Sequence, residues 1–423
     1  MSYRAFYPIT TAVWAAFLAE AGLAAPLNHA PHPEIAAPAA LEEVLRLALG
    51  RNRALQASYE AYQAALERIP QAAALPNPRV SFDHFIKQIH MGNGPLENQM
   101  MLSQTLPWFG KLRLQESIAS EEAQALLHEY EMLRLALVRD VSVAHFRYAY
   151  LGKEHELTER TLELLERLAA VTETRVRGGA PLSGLLRLEV ETGRNRDLLA
   201  TLERDRSRQS VELRRLMNLP PDGPVPPFAP LPPRPATDLR EEALRAAVLS
   251  GNPAIRALSA RGRSAAQRER LSRLLPIPDP ALNATWMHLG EGASDAYGVG
   301  ISFEIPLWTK KYRAQREEAR RDAAALAALQ EDREYEILAE LETQLESLRE
   351  TSAREVLYRE RLLPVARQSL EISETEYRAG KLNLTDIIES ERTLLELERV
   401  YWNAVAQIHI QLVRLDTLGA TIP

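Results

Sequence analysis

The chain has 423 residues, a formal net charge of -6 and no cysteine. The lack of cysteine excludes disulfide bonds, thiolate metal sites and lipid attachment to an N-terminal cysteine. The slightly acidic balance, without a basic stripe, argues against a nucleic-acid-binding protein.

The first 24 residues are predicted to be a secretory signal peptide. Arg4 precedes an apolar stretch at 9–18, and the small residues Gly22-Leu23-Ala24 follow it. A short buried helix is the alternative, since a span of the membrane would need about 20 consecutive apolar residues. Residues 25–40 contain several prolines and are predicted to be a flexible mature N-terminus.

The rest of the chain contains two repeats, residues 41–219 and 239–420, with the same order of elements. Each repeat is predicted to contain a short helix, a β-hairpin, a long helix and a last helix. Three landmarks recur: a proline-flanked turn, a proline with an aromatic residue after the hairpin, and an Arg and Gly that close the long helix. They are Pro76-Asn77-Pro78, Leu106-Pro107-Trp108 and Arg177-Gly178-Gly179 in the first repeat, and Pro278-Asp279-Pro280, Ile305-Pro306-Leu307-Trp308 and Arg378-Ala379-Gly380 in the second.

Four strands are predicted, at about 79–86, 98–106, 281–288 and 296–305, with glycine-containing turns between the members of each pair. The last strand is apolar at alternate positions, Tyr297, Val299, Ile301, Phe303 and Ile305. This alternation is typical of a membrane β-barrel strand. A sheet packed on a soluble core alternates in the same way, but the chain offers no spare amphipathic helix to cover such a sheet.

Four strands cannot close a barrel by themselves. Open sheet edges are not tolerated in lipid because their backbone groups find no water there. Two copies would give eight strands, whose interior fills with side chains, whereas three copies would give twelve strands and a passage. Several copies must therefore cooperate to close a barrel.

Long helices are predicted at about 111–177 and 313–378. The first is rich in Glu, Leu, Arg and Ala and has no proline, which favours a continuous helix. Leucines at spacings of three and four in the second, such as Leu341, Leu345 and Leu348, predict a coiled-coil seam. Pro364 is expected to produce a kink or local irregularity. A proline-rich linker at 220–238 is predicted to join the repeats.

The ordered landmarks resemble the TolC-like family of outer-membrane efflux proteins. The resemblance implies a mainly α fold with a membrane β-barrel. Two repeats per chain would form a homotrimer, in which a 12-stranded β-barrel continues into a long α-helical barrel. It also implies a bacterial outer-membrane protein that extends into the periplasm, in contact with outer-membrane lipid.

In function, the resemblance implies the exit duct of a tripartite efflux system. The duct would passively conduct small molecules or metal ions from an inner-membrane pump and a periplasmic adaptor protein to the outside. A type I protein secretion duct and a structural or adaptor coiled-coil protein of the periplasm are the alternatives. The sequence has no catalytic constellation or phosphate-binding loop, so we expect neither an enzyme nor a cofactor.

The resemblance also implies positions for two sites. Helix-turn tips that contact the adaptor are expected at Gly178, Gly179, Gly380 and Lys381. A constriction that gates the duct is expected at Tyr377, Asp386 and Glu389.

The two gate acids have a second interpretation. Asp386 and Glu389 lie three residues apart on one helix face, so threefold symmetry would gather six carboxylates around an axis. Thr385 or Asp386 followed by Glu389 is also typical of a helix N-terminal cap, which needs no duct.

Methionines and histidines lie in or near the predicted hairpins, at His84, His90, Met91, Met100, Met101, Met287 and His288. These residue types suit copper(I) or silver. We expect instead that methionine fills an irregular lipid-facing surface, and we predict no metal site.

Overall fold

The structure, a computed structural model, describes residues 41–91, 94–224, 230–235, 240–290 and 293–419. The predicted signal peptide and mature N-terminus, residues 1–40, lie outside the described residues. Among the described residues, no helix combines the length and the hydrophobicity that crossing a bilayer requires.

The first repeat consists of three short helices, then a β-hairpin, then two long helices. Its elements are α1 (Leu41–Arg51), α2 (Arg53–Leu66), α3 (Arg68–Ala73), β1 (Arg79–Met91), β2 (Gly94–Thr105), α4 (Lys111–Arg177) and α5 (Ser183–Leu216).

The second repeat follows the same order. Its elements are α6 (Glu241–Gly251), α7 (Pro253–Leu274), β3 (Pro280–Leu289), β4 (Ala296–Phe303), α8 (Thr309–Leu357), a π-helical turn (Tyr358–Leu362), α9 (Leu363–Arg378) and α10 (Leu384–Thr417).

The four strands form one antiparallel sheet in the order β1-β2-β3-β4. The hairpins β1-β2 and β3-β4 each belong to one repeat, while the β2-β3 pair joins the repeats, with Thr105 opposite Ala281. Because β1 and β4 are the outer strands, each leaves one row of backbone N–H and C=O groups unpaired within this sheet.

The first hairpin is longer than the sequence predicted. β1 continues to Met91 instead of ending near residue 86, and β2 starts at Gly94 instead of near residue 98. Strand therefore replaces most of the predicted turn. The pairing shifts between His84 and Ile89, and such an irregularity interrupts the alternation from which the strand end was predicted. The last strand ends at Phe303, two residues before the predicted end.

One face of the sheet is apolar and exposed. The register places Val80 opposite Leu102, and Ala284 opposite both Leu102 and Val299, so these residues share a face. The side chain of Val299 is 93% exposed. Other exposed apolar residues on this face are Phe82, Met100, Leu282, Tyr297, Ile301 and Phe303. The described residues thus leave a broad apolar sheet surface uncovered, which a water-soluble sheet would bury.

The two long helical stretches differ in continuity. α4 runs for 67 residues without a break, whereas a π-helical turn at Tyr358–Leu362 separates α8 from α9. Pro364 stands in the first turn of α9, where its missing N–H is tolerated. The local irregularity expected near Pro364 is therefore confirmed, and it takes the form of a widened turn just before the proline.

The chain divides into two compact units. The first, called here the sheet unit, comprises Gln56–Met132 and Pro253–Tyr335. Within it, three arginines of α7 pair with three glutamates of α4. The pairs are Arg261–Glu129, Arg263–Glu121 and Arg268–Glu122.

The helical unit comprises the other described residues. The described part of the interrepeat linker is fastened to its core. Leu231 packs with Phe146 and Val405 in a buried cluster, and the Arg234 guanidinium lies 3.0 Å from the carboxylate of the fully buried Glu355. The predicted linker is therefore an ordered part of this unit at residues 230–235.

Candidate functional site

The α4-α5 and α9-α10 turns of the helical unit carry the residues predicted to act at the tips and the gate. Both long helices end in the same hydrogen-bond pattern. The Ala180 N–H donates to the Arg175 carbonyl and the Gly179 N–H to the Val176 carbonyl, at 3.0 and 2.9 Å. This pair of bonds defines a Schellman motif, which requires a left-handed residue at the helix end.

The second turn repeats the motif. The Lys381 N–H donates to the Glu376 carbonyl and the Gly380 N–H to the Tyr377 carbonyl, each at 2.9 Å. Gly179 and Gly380 supply the left-handed residues, with φ of 100° and 75°. All the predicted tip residues, Gly178, Gly179, Gly380 and Lys381, are exposed.

Tyr377, one of the predicted gate residues, is buried within the chain. Its hydroxyl oxygen lies 3.0 Å from the hydroxyl of Thr172 on α4. The Arg175 guanidinium donates to the Tyr377 carbonyl at 2.9 Å and stands 4.2 Å from the ring centroid. Tyr377 therefore fastens α9 of the second repeat to α4 of the first.

A hydrophobic cluster surrounds Tyr377. It joins α4, α5, α9 and α10 directly behind the two turns. Its other buried members are Leu165, Leu168, Leu188, Leu384, Ile387 and Ile388.

Asp386 and Glu389, the predicted gate acids, are both exposed. The Asp386 carboxylate accepts the Asn383 backbone N–H at 3.3 Å, and the Asp386 N–H donates to the Asn383 carbonyl at 3.2 Å. Asn383 is the N-cap residue of α10. The capping arrangement that the sequence suggested thus exists, but it starts at Asn383 rather than at Thr385 or Asp386.

Glu389 takes no part in this cap and lines a shallow groove of about 480 Å³ between α5 and α10. Charged residues of both signs line this groove. The Arg392 guanidinium donates to the Glu191 carboxylate at 2.6 Å, and the Arg187 guanidinium donates to the Thr385 hydroxyl at 2.5 Å. Leu186 and Val190 also line the groove, and each is more than half exposed.

Glu391 is a buried carboxyl five residues beyond Asp386 on α10. The Thr161 hydroxyl of α4 donates to Glu391 Oε1 at 2.7 Å. Burial is the main cause that raises the pKa of Glu391 above its usual range; the Thr161 hydrogen bond opposes this shift, while the charges of Glu398 and Glu374 add to it. A carboxyl group that disfavours ionisation therefore sits between α4 and α10.

Sequence reasoning missed the groove arginines and the buried Glu391. Arg187 and Arg392 lie in different repeats, so no local spacing connects them. Glu391 lies in a segment rich in other charged residues and gives no separate signal. Only the packing of α10 on α4 and α5 distinguishes these side chains from solvated ones.

A family model described as outer membrane efflux protein matches residues 44–219 and 244–420. The chain belongs to this outer membrane efflux protein family. No curated protein matches it in sequence.

Solved structures of outer-membrane channels and of an outer membrane protein have the same fold. The outer-membrane channel OprN has a TM-score of 0.76 at 18% identity, over 90% of each chain. VceC, an outer membrane protein of Vibrio cholerae, has a TM-score of 0.73 at 19% identity, over 90% of this chain and 96% of its own. MtrE, an outer membrane channel of Neisseria gonorrhoeae, has a TM-score of 0.72 at 18% identity, over 90% of this chain and 89% of its own.

The predicted family and fold class of this outer membrane efflux protein are therefore confirmed. The chain is mainly helical, with two repeats that each contribute a hairpin to the sheet, and both repeats lie within the family match. Membership also agrees with the prediction that the protein is not an enzyme. The tip and gate assignments stay predictions.

Proposed function

We propose that three copies of this outer membrane efflux protein form a continuous duct through the bacterial outer membrane and into the periplasm. The duct is the exit of a tripartite efflux system. It passively conducts small molecules or metal ions that an inner-membrane pump and a periplasmic adaptor protein deliver to it.

The uncovered apolar face of the sheet is the observation that carries this proposal. Side chains such as Val299 and Phe303 are largely exposed, and the alternate residues Gly298, Gly300 and Ser302 are small or polar. Lipid solvates the first set and water the second in a membrane barrel strand. The outer strands β1 and β4 then have to pair with other copies, because open edges are intolerable in lipid.

The helix-turn tips support contact with an adaptor. The two Schellman motifs present Gly179 and Gly380 at exposed reversals of the same geometry. A partner can approach the backbone closely at a glycine, since no Cβ stands in its way. We therefore assign Gly178, Gly179, Gly380 and Lys381 to the surface that contacts the adaptor.

The gate assignment rests on the exposed Asp386 and Glu389. In a threefold assembly these acids form rings of negative charge that favour cations and hinder anions. Asp386 also caps α10, so one residue serves both the helix end and the ring. Tyr377 acts from within each chain, because it holds α9 against α4 beside the gate helix.

Membrane fractionation and single-channel recording test the proposed function. We expect the full chain to fractionate with outer membranes, to have the mass of three chains in mild detergent, and to conduct ions in a planar bilayer. Deleting the gene in its own host should raise cellular accumulation of a fluorescent pump substrate. A monomeric periplasmic protein without conductance would contradict the proposal. Accumulation that stays unchanged while a secreted protein is retained in the cell would favour a type I secretion duct.

A further inference from the structure

The β2-β3 pair shows how one repeat of this protein joins the next. Beyond the last strand pair, the Leu106 N–H donates to the Pro280 carbonyl at 2.8 Å. The Trp108 N–H and the Lys111 ammonium both donate to Asp279 Oδ1, each at 2.7 Å. Lys111 is buried, so these hydrogen bonds form a buried polar junction at the boundary between the repeats.

The two repeats correspond residue by residue in this region. Aligning Pro76 with Pro278 and Pro107 with Pro306 makes Arg79 equivalent to Ala281 and Ser103 equivalent to Ser302. The structure pairs Arg79 with Ser103 in the first hairpin and Ala281 with Ser302 in the second. The alignment of prolines therefore reproduces the register of both hairpins.

The same correspondence predicts how β4 meets β1 of another copy. β4 is equivalent to β2, and β1 is equivalent to β3. Thr105 is observed opposite Ala281, so their equivalents Glu304 and Arg79 are predicted to lie opposite each other. In the same way, the observed pair of Leu102 and Ala284 predicts that Ile301 lies opposite Phe82.

We propose that β4 of one copy pairs with β1 of the next in this register, with an ion pair between Glu304 and Arg79 across the boundary. The inference rests on the proposed assembly into a closed barrel. It adds the residue-level register, which makes the boundary between copies a second version of the boundary between repeats.

Two observations independent of the alignment agree with this register. Ile301 and Phe82 lie on the exposed apolar face of their strands, so the pairing continues that face, whereas a slip of one residue would put it on the opposite side. Glu304 and Arg79 are both exposed and carry opposite charges, which is the favourable combination for residues directly opposite each other.

The equivalent of the Lys111 junction also falls at this boundary. Lys310 is equivalent to Lys111, and Asn77 to Asp279. Lys310 is exposed within the single chain, unlike its buried counterpart. In the proposed register its ammonium approaches the Asn77 amide oxygen of the next copy, so the junction between copies is less charged than the one within the chain.

Disulfide cross-linking can test the register, since the chain has no cysteine of its own. Ser302 and Ser81 are directly opposite in the proposed pairing, close enough for a disulfide bond. The double variant Ser81→Cys/Ser302→Cys should give covalent oligomers of up to three chains on a non-reducing gel after mild oxidation. The matched control Asp83→Cys/Ser302→Cys is displaced by two residues on the same face and should remain mostly uncoupled.

The mass of the unmodified chain in detergent is measured in parallel. Three chains without coupling at 81 and 302, or with stronger coupling at 83 and 302, would overturn the register and leave the proposed function standing. A single chain would overturn both. The coupling of 81 with 302 in a trimer supports the inference.

A charge exchange tests the ion pair separately. Glu304→Arg places like charges opposite each other and should lower the temperature at which the trimer dissociates. Adding Arg79→Glu should restore that temperature toward the wild-type value. If the double exchange is as unstable as the sum of its single variants, the two residues do not face each other.

Discussion

The sheet and the helix turns of this outer membrane efflux protein differ in whether their apolar side chains are exposed or buried. On the sheet, Val299 and Ile301 are exposed, and each edge strand leaves one row of backbone groups unpaired within the described sheet. At the helix turns, Leu384 and Ile387 are buried, while glycines and charged residues such as Lys381 and Asp386 are exposed. The backbone at the turns is satisfied by Schellman motifs and by the cap at Asn383.

The difference teaches which region depends on its surroundings. The apolar cluster behind the helix turns is already buried in a single chain, and only a few apolar side chains nearby, such as Leu186 and Val190, are about half exposed. In the proposed assembly, lipid on one face and further strands at its edges stabilise the sheet. Substitutions in the sheet should therefore disturb assembly, and substitutions at the turns should disturb function within an intact assembly.

The largest expected effect comes from a charge on the apolar sheet face. Ile301→Arg should cost up to about 2–4 kcal/mol per chain, because the charge meets hydrocarbon. Ser302→Arg, the next residue on the opposite face, should be tolerated. The yield of trimers in outer membranes measures both. Equal yields would contradict the assignment of the faces.

The helix turns should respond next. Gly179→Val and Gly380→Val put a β-branched residue into a left-handed conformation, at a cost of roughly 1–3 kcal/mol for each turn. We expect trimers to persist while export and adaptor binding are lost. Gly193→Val is the matched control, since Gly193 lies exposed in α5 with open space beside it. Normal export by the double turn variant would exclude these tips from the adaptor surface.

We expect the contribution of Glu391 to the stability of the folded chain to depend on pH. Because burial raises its pKa in the folded chain, the folded state binds the proton more tightly than the unfolded state does. The contribution of protonated Glu391 to the stability of the folded state is full below the pKa of about 4.3 that this group has in the unfolded chain. It is lost as the pH rises through the raised pKa of Glu391 in the folded chain.

Glu391→Gln keeps an oxygen that can accept the Thr161 hydroxyl and removes the titration. The melting temperature of this variant relative to wild type should rise from pH 4 to pH 8. Glu203→Gln, at an exposed position of α5, should show no such trend. Parallel profiles for wild type and Glu391→Gln would contradict the prediction.

The smallest effect on stability is expected at the gate. Asp386→Asn with Glu389→Gln removes two exposed charges and weakens the cap at Asn383, which costs about 0.3–1 kcal/mol. Divalent cations should block the conductance of this variant less strongly than that of wild type in a planar bilayer. If block is unchanged in an intact trimer, Asp386 acts only as a cap and the constriction lies elsewhere.

Much of the fold was predictable because its signals are local and repeated. Proline landmarks fixed the order of elements, and alternation identified β4. The first hairpin was less predictable, since the shift in pairing between His84 and Ile89 breaks the alternation. Side-chain burial at the candidate site was not predictable, because Tyr377 meets Thr172 across about two hundred residues of sequence. Such contacts depend on how four helices pack.

The π-helical turn before Pro364 has a consequence for comparing sequences in this family. Buried positions of the second long stretch follow steps of three and four up to Glu355, and they resume at Leu363 and Ala366. The step from Glu355 to Leu363 is eight residues, one more than a heptad. A π turn accommodates one additional residue, so the same helix face stays buried on both sides. A one-residue insertion can therefore be hidden inside a continuous helix, and an alignment that places gaps only in loops would misplace every position between this turn and the next one.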